Sequence, residues 1–410
     1  MKKWIYSIVL LHLFCSTTLA QDNNGILKKT DISQYCHLDT LLSFKNETGG
    51  TAKHPVMASF DNRYVFTCYD ARLGCDTIVI YHIHTDTYNV DTIRIYEQGI
   101  SHYLQKNLSN QFKAVAIWDS LIVLCTYRRA LVYCLEEDGS YQKRNSLKIP
   151  FNFEKAQMVD KHTILFVDAY HSRRKHRTSM YLYNIEKGKV MGAIHPYLNS
   201  TLNTYFSNMA SADYRNGKII WTHNNEYSFV EYNLALQQTD STHYDEYHWH
   251  PLPYHIIHKA SKYKWTQAVD IMNTVQDKNV KSDMIMWVLL LDDEQLMIIR
   301  KPHDSNLKAI DLWSKKTGKW RPSICNITDA GYWLNPHDTV RNHIQLGFSA
   351  GDYVSACGGK IVTLTTMGCM DSFDNLTGKE YTIKRDDYLL DNNYFLQLRI
   401  YTYDFGDMTK

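Results

Sequence analysis

Six short β-rich runs recur along this chain, and most carry their own turn signal. They are "RYVFTCYD" from Arg63, "SLIVLCTY" from Ser120, "HTILFVDA" from His162, "GKIIWTHN" from Gly217, "EQLMIIRK" from Glu294 and "GKIVTLTT" from Gly359. Before them stand a short strand and a turn pair: "DN" at Asp61, "DS" at Asp119, "DK" at Asp160, "NG" at Asn216, "DD" at Asp292 and "GG" at Gly358. Asn, Asp and Gly tolerate the left-handed backbone that tight hairpins require. A second alternating strand follows most runs, as in "DTIVIYHI", "ALVYCL", "SMYLYNI" and "SFVEYNL". A further turn then leads to a more polar fourth strand, such as "VDTIRI" or "NSLKI".

Four antiparallel strands per unit, recurring every 40 to 75 residues or so, cannot bury both sheet faces alone. Such sheets stack around an axis, so the pattern predicts an all-β β-propeller with six four-stranded blades. "HLDTLLSF" (His37 to Phe44) resembles "NVDTIRIY" (Asn89 to Tyr96), the fourth strand of blade one. An orphan fourth strand at the amino terminus is what closes a ring, and "FLQLRIYTYDF" supplies the last blade's third strand. The segment "DNLTGKEY" reads as another third-to-fourth turn and leaves seven blades open as an alternative.

Residues 1–20 have the form of a secretory signal: Lys2 and Lys3, the apolar core "WIYSIVLLHLF", and a cleavage point after Ala20. That core is too short for a membrane span, and Phe14 before Cys15 disfavours lipoprotein processing. The expectation is an exported chain, periplasmic or extracellular, with residues 21–410 forming one domain that carries a long insert at 241–283. Removing Lys2 and Lys3 takes the 45 basic residues to 43, equal to the 43 acidic ones, so any basic patch is local. Eight of the nine cysteines remain, an even number suited to an oxidising compartment. Cys68 and Cys75, on two arms of one hairpin, are the best disulfide candidates; Cys36 with Cys325 is a second, and Cys125 and Cys134 read as buried thiols.

On its blade pattern and secretory segment, the mature chain resembles the exported six-bladed propellers of Gram-negative bacteria, the TolB-like and NHL-like groups. The resemblance implies a propeller fold and export, and brings no catalytic residues with it.

In a propeller the loops between second and third strands share a face with the blade-to-blade connections. Here those are the long, chemically rich segments. The second-to-third loops hold Arg72, Arg128, Arg129, Arg173, Arg174, Lys175, Arg177, Arg300 and Lys301 against Asp70, Glu226 and Asp304. His171, His176, His223 and His303 join them, with Tyr127, Tyr170 and Tyr227 as stacking surfaces. Arginine predominates, which favours bidentate recognition of carboxylate or sulfate. One block, "YHSRRKHR" from Tyr170, is also the ordinary composition of a solvated hairpin tip.

"HWHPLPYHIIH" contains His248, His250, His255 and His258; His250, His255 and His258 are the candidate metal nitrogens, although the stretch holds no acid or cysteine to complete a set. Beyond it, Ala260, Tyr263, Ala268, Met272 and Val275 have near-helical spacing and predict a helix packed on that face. "GFSAG" around Ser349 matches the nucleophile-elbow pattern but lacks the strand-to-helix context. Sequons at Asn46, Asn107, Asn199, Asn326 and Asn375, and Asp-Ser/Thr triplets at Asp39, Asp76, Asp91, Asp119 and Asp338, are weak signals of glycosylation. There is no Walker loop, Rossmann fingerprint or EF-hand pattern, so no cofactor is expected, and a neutral exported chain is a poor nucleic-acid binder.

The residues therefore predict a propeller whose loop face binds an anionic partner, an acidic or sulfated glycan or an acidic protein surface. An alternative is a polysaccharide lyase, with Tyr127, Tyr170, His171 or His176 removing a proton beside a uronate carboxylate that arginine neutralises. A protein-interaction scaffold is the third class.

Overall fold

The computed structural model describes residues 36–45, 56–61, 63–69, 76–100, 102–103, 112–126, 128–151, 153, 155–168, 178–197, 212–222, 227–251, 283–303, 307–328, 353–367, 372–374, 379–381 and 395–405. Strand β1 is Cys36–Lys45. Blade one is β2 (Val56–Phe60), β3 (Arg63–Tyr69), β4 (Thr77–His84) and β5 (Val90–Tyr96). Blade two is β6 (Ala114–Trp118), β7 (Leu121–Cys125), β8 (Arg129–Leu135) and β9 (Tyr141–Lys148). Blade three is β10 (Lys155–Asp160), β11 (Thr163–Asp168), β12 (Thr178–Asn184) and β13 (Lys189–Tyr197). Blade four is β14 (Ala212–Arg215), β15 (Lys218–Thr222), β16 (Ser228–Tyr232) and β17 (Gln238–His243). Blade five is β18 (Met284–Leu290), β19 (Gln295–Lys301), β20 (Leu307–Ser314) and β21 (Lys319–Thr328).

The last sheet runs β22 (Tyr353–Cys357), β23 (Lys360–Met367), β26 (Phe395–Tyr403) and then β1. The amino-terminal strand thus completes the carboxy-terminal blade, in antiparallel register from Cys36 opposite Tyr403 to Lys45 opposite Phe395. The segment that left seven blades open forms instead a separate two-stranded ladder, β24 (Ser372–Asp374) with β25 (Lys379–Tyr381). Every first strand touches the first strands of its neighbours, from β2 through β6, β10, β14, β18 and β22 back to β2, so the ring of six closes.

Burial follows position within the blade. Strand β4 is buried over its central residues, while the outer strands β9 and β17 alternate between exposed and half-buried. Inner strands are covered on both faces by adjacent blades, and the cores lie between blades. Ile78 and Ile80 face blade two through Ile122 and Leu124, while the alternate residues Val79, Tyr81 and Ile83 pack on Val362, Leu398 and Ile400 of blade six. Tight first turns make this stacking possible. In the turn at Asn216 and Gly217 both residues have positive φ, 47° and 82°, the conformation of a two-residue hairpin.

Polar side chains lace the inner strands together around the axis. Lys155 donates to the Ala212 carbonyl at 2.7 Å and to Asp213 at 3.2 Å, and the same Asp213 accepts the Leu290 N–H at 2.9 Å. A cavity of about 70 Å³ lies there, lined by Met57, Ala116, Met158, Asp213, Trp287 and Val354, one from each inner strand.

Cys125 is a buried free thiol and Cys134 a half-buried one. Cys68 falls in β3, but its side chain and all of Cys75 lie outside the described residues, as do residues 1–20 and the predicted helix after Ala260. No helix among the described residues is long and apolar enough to cross a membrane.

Candidate functional site

The site lies where the connection from blade four meets blade five. Strand β17 ends at His243, and the chain continues as Tyr244 to Pro251 over the face that carries blade connections and second-to-third turns. Alternation sets its orientation: Tyr247 and Trp249 pack inward, while His248 is exposed and His250 half-buried. Tyr227 stacks on Trp249 at 5.4 Å and 11°, and Tyr244 stacks on Trp320 at 4.8 Å. These contacts fasten the connection to the blade four–five core, each aromatic pair adding about 0.5–1.5 kcal/mol beyond its buried area.

Beneath the aromatics lies a buried ion pair. Arg300 donates through Nε to Asp311 Oδ2 at 2.5 Å, with side-chain exposures of 3% and 0%. The Tyr227 hydroxyl donates to the same carboxylate oxygen. Burial and the Asp311 charge hold the Tyr227 phenol well above its ordinary range, so it remains a donor. Arg300 also reaches the Tyr247 hydroxyl at 2.9 Å, and its guanidinium lies 4.4 Å from the centre of that ring.

From Tyr247 the network continues to Asp283, the residue before β18. Asp283 is fully buried, and its Oδ1 accepts the Tyr247 hydroxyl at 3.1 Å and the His303 N–H at 2.7 Å. Its Oδ2 accepts the His250 N–H at 2.7 Å, and the Asp283 N–H in turn donates to the His250 carbonyl at 2.7 Å. Two imidazoles flank this carboxylate: His303 Nδ1 lies 3.2 Å from Oδ1, and His250 Nδ1 lies 3.5 Å from Oδ2. Their rings stack at 3.5 Å, and His248 meets His250 edge-on at 4.7 Å. His250, Asp283 and His303 offer donor atoms within 4.8 Å of one another, and together they can hold a metal ion.

Several expected site residues are placed differently. Arg300 and Lys301 belong to strand β19 rather than to a loop, and Arg300 is committed to Asp311 inside the protein, so it does not serve as a rim cation. Tyr227 is 1% exposed and packs in the core, leaving no free stacking surface. For the metal set, His250 is joined by Asp283 and His303, while His255 and His258 lie outside the described residues. Asp283 was missed because it stands far along the chain from His250. The available signal was an acid directly before a buried apolar strand, "SDMIMW".

Arg128 and Arg129 are exposed at the second-to-third turn of blade two. Thr126 shapes that turn: its N–H donates to the Arg129 carbonyl at 2.8 Å and its Oγ1 accepts the Arg129 N–H at 3.2 Å. The Arg129 guanidinium lies 4.9 Å from the ring centre of Tyr103, on the connection between blades one and two. Arg72, Tyr127, Tyr170, His171, Arg173, Arg174, Lys175, His176, Arg177 and His223 lie outside the described residues, as does the Lys301 side chain.

No protein-family model matches the chain, and no curated protein sequence matches it significantly. Among solved structures it is similar to a candidate exported protein of Bacteroides fragilis, with 12% identity over 92% of this chain and 97% of that one and a TM-score of 0.52. Virginiamycin B lyase from Staphylococcus aureus aligns at 11% identity over 88% and 99% of the two chains, with a TM-score of 0.37. The propeller domain of the trilobed protease from Pyrococcus furiosus aligns at 9% identity over 81% and 86%, with a TM-score of 0.35. At 12% identity what is shared with the Bacteroides fragilis protein is the fold, and the ring of six four-stranded sheets in this chain is a β-propeller.

Proposed function

We propose that this chain is an exported propeller that binds an anionic ligand, an acidic or sulfated glycan, on the face carrying the blade connections and second-to-third turns. The observation that carries the reading is the pairing of exposed Arg129 with Tyr103 on that face, next to exposed Arg128. A guanidinium backed by an aromatic ring is held in place while its N–H fork stays available to a carboxylate or sulfate. "YHSRRKHR", in the corresponding loop of blade three, places four further cations in the same class of loop.

Calorimetric titration with uronate-bearing and sulfated oligosaccharides, set against neutral ones of equal length, tests this reading. Binding confined to the anionic series supports it, and equal binding of neutral chains removes it. The same mixtures, followed by the ultraviolet absorbance of unsaturated uronates, identify a lyase if products accumulate.

A further inference from the structure

We propose that His250, His303 and Asp283 form a binding site for a divalent transition-metal ion of the zinc class. The site uses none of the rim arginines and stands independently of glycan binding. Two imidazoles and one carboxylate are a donor set for borderline cations such as Zn²⁺ and Co²⁺, whereas Ca²⁺ and Mg²⁺ prefer oxygen ligands throughout.

Spacing agrees with that chemistry. Ligands held about 2.0–2.1 Å from a tetrahedral ion lie about 3.3 Å from one another. The separations here, 3.2 Å from His303 Nδ1 to Asp283 Oδ1 and 3.5 Å from His250 Nδ1 to Oδ2, each match the length of such an edge, one at each carboxylate oxygen, and with one ligand atom per residue all three donors lie within 4.8 Å of one another. Hydrogen bonding accounts for only one of them. The 3.5 Å separation is beyond the usual N–H···O range of about 2.7–3.2 Å, and His250 Nδ1 is a buried atom with no hydrogen-bond partner. Burying a ring nitrogen in that state is costly, and a cation shared with the carboxylate offsets the cost.

The carboxylate is also positioned in advance. Backbone N–H groups of His250 and His303, each at 2.7 Å, and the Tyr247 hydroxyl at 3.1 Å fix both oxygens, as outer-shell donors do around metal-bound carboxylates. The imidazole side chains are 39% and 23% exposed, so each keeps a solvent-facing edge. Closing a tetrahedral shell requires the stacked rings to swing slightly apart, and water fills the remaining position.

The test uses chelator-treated mature protein without any glycan. Calorimetry with Zn²⁺ should give one equivalent bound, and Co²⁺ should produce the visible absorption of a tetrahedral site. His250→Ala and His303→Ala should each weaken binding by at least about tenfold, while circular dichroism of the metal-free variants stays that of the wild type. X-ray absorption of the Co²⁺-loaded wild type should count two imidazoles, a result that does not depend on any variant folding. Absence of one-equivalent binding, fewer than two imidazoles, or unchanged affinity in both folded variants would overturn the proposal. None of these results bears on whether anionic glycans bind at Arg128 and Arg129.

Discussion

Nε of Arg300 lies 2.5 Å from Oδ2 of Asp311, and neither side chain is more than 3% exposed. The two sit on neighbouring strands, Arg300 opposite Ala309 and Asp311 opposite Ile298, so their side chains lie diagonally on one face of blade five. The pair anchors Tyr227 through Asp311 and Tyr247 through Arg300, and through Tyr247 it supports Asp283.

Removing one partner leaves the other charge buried and uncompensated. Arg300→Ala should therefore cost about 3–5 kcal/mol, read as a lower urea midpoint at unchanged slope. Arg300→Met combined with Asp311→Leu should recover part of that loss, because two apolar side chains need no counter-charge. A single-variant loss below about 1 kcal/mol, the range of an exposed pair, would contradict the burial assigned here.

Stability should also depend on His82. Burial, aided by the Arg63 charge, pushes this imidazole down to about 4 from an ordinary 6.5. Its Nε2 and the Tyr141 hydroxyl share a hydrogen bond of 2.6 Å, joining blade one to blade two. Between pH 6.5 and 4 the unfolded chain binds a proton that the folded chain refuses, so stability falls as pH falls through that window. The full loss, about 3 kcal/mol at 1.36 kcal/mol per unit, is present below the window. Chemical denaturation across the range should show a flatter slope for His82→Gln than for wild type, and identical slopes would remove His82 as the cause.

Ring closure depends on the amino-terminal strand. Asp39 accepts from Lys360 Nζ at 2.5 Å and from the Thr402 hydroxyl at 2.7 Å, tying β1 to blade six. Desolvation alone would raise the Asp39 carboxyl, but these donors outweigh it and hold it below its usual range. Asp39→Ala should cost about 1–3 kcal/mol. Deleting residues through Lys45 exposes the β26 edge and should yield oligomers by light scattering. A monomeric truncated chain with unchanged melting would show that the closure is dispensable.

Much of the frame is legible locally. Asn216–Gly217 announces its turn because few other residues accept left-handed φ, and "HLDTLLSF" announces a fourth strand by its likeness to "NVDTIRIY". The site was harder to see. "RK" at the end of an apolar run looks like a loop cation, and only strand register shows that Arg300 points at Asp311. The lone acid in "AIDLW" was the readable hint, since an acid amid apolar strand residues needs a partner. His250, Asp283 and His303 come from a connection, a strand start and a turn, and blade geometry alone gathers them.

Titration of a sulfated or uronate-bearing oligosaccharide into wild type and an Arg128→Ala/Arg129→Ala variant, each at low and high ionic strength, tests the functional reading most directly. Raising salt from about 0.05 to about 0.5 M should weaken wild-type binding at least tenfold or so, because screening shortens the reach of exposed charges. The variant should bind about tenfold more weakly at low salt and respond less to added salt. Binding indifferent to both salt and the two arginines, or no binding of any anionic oligosaccharide, contradicts it.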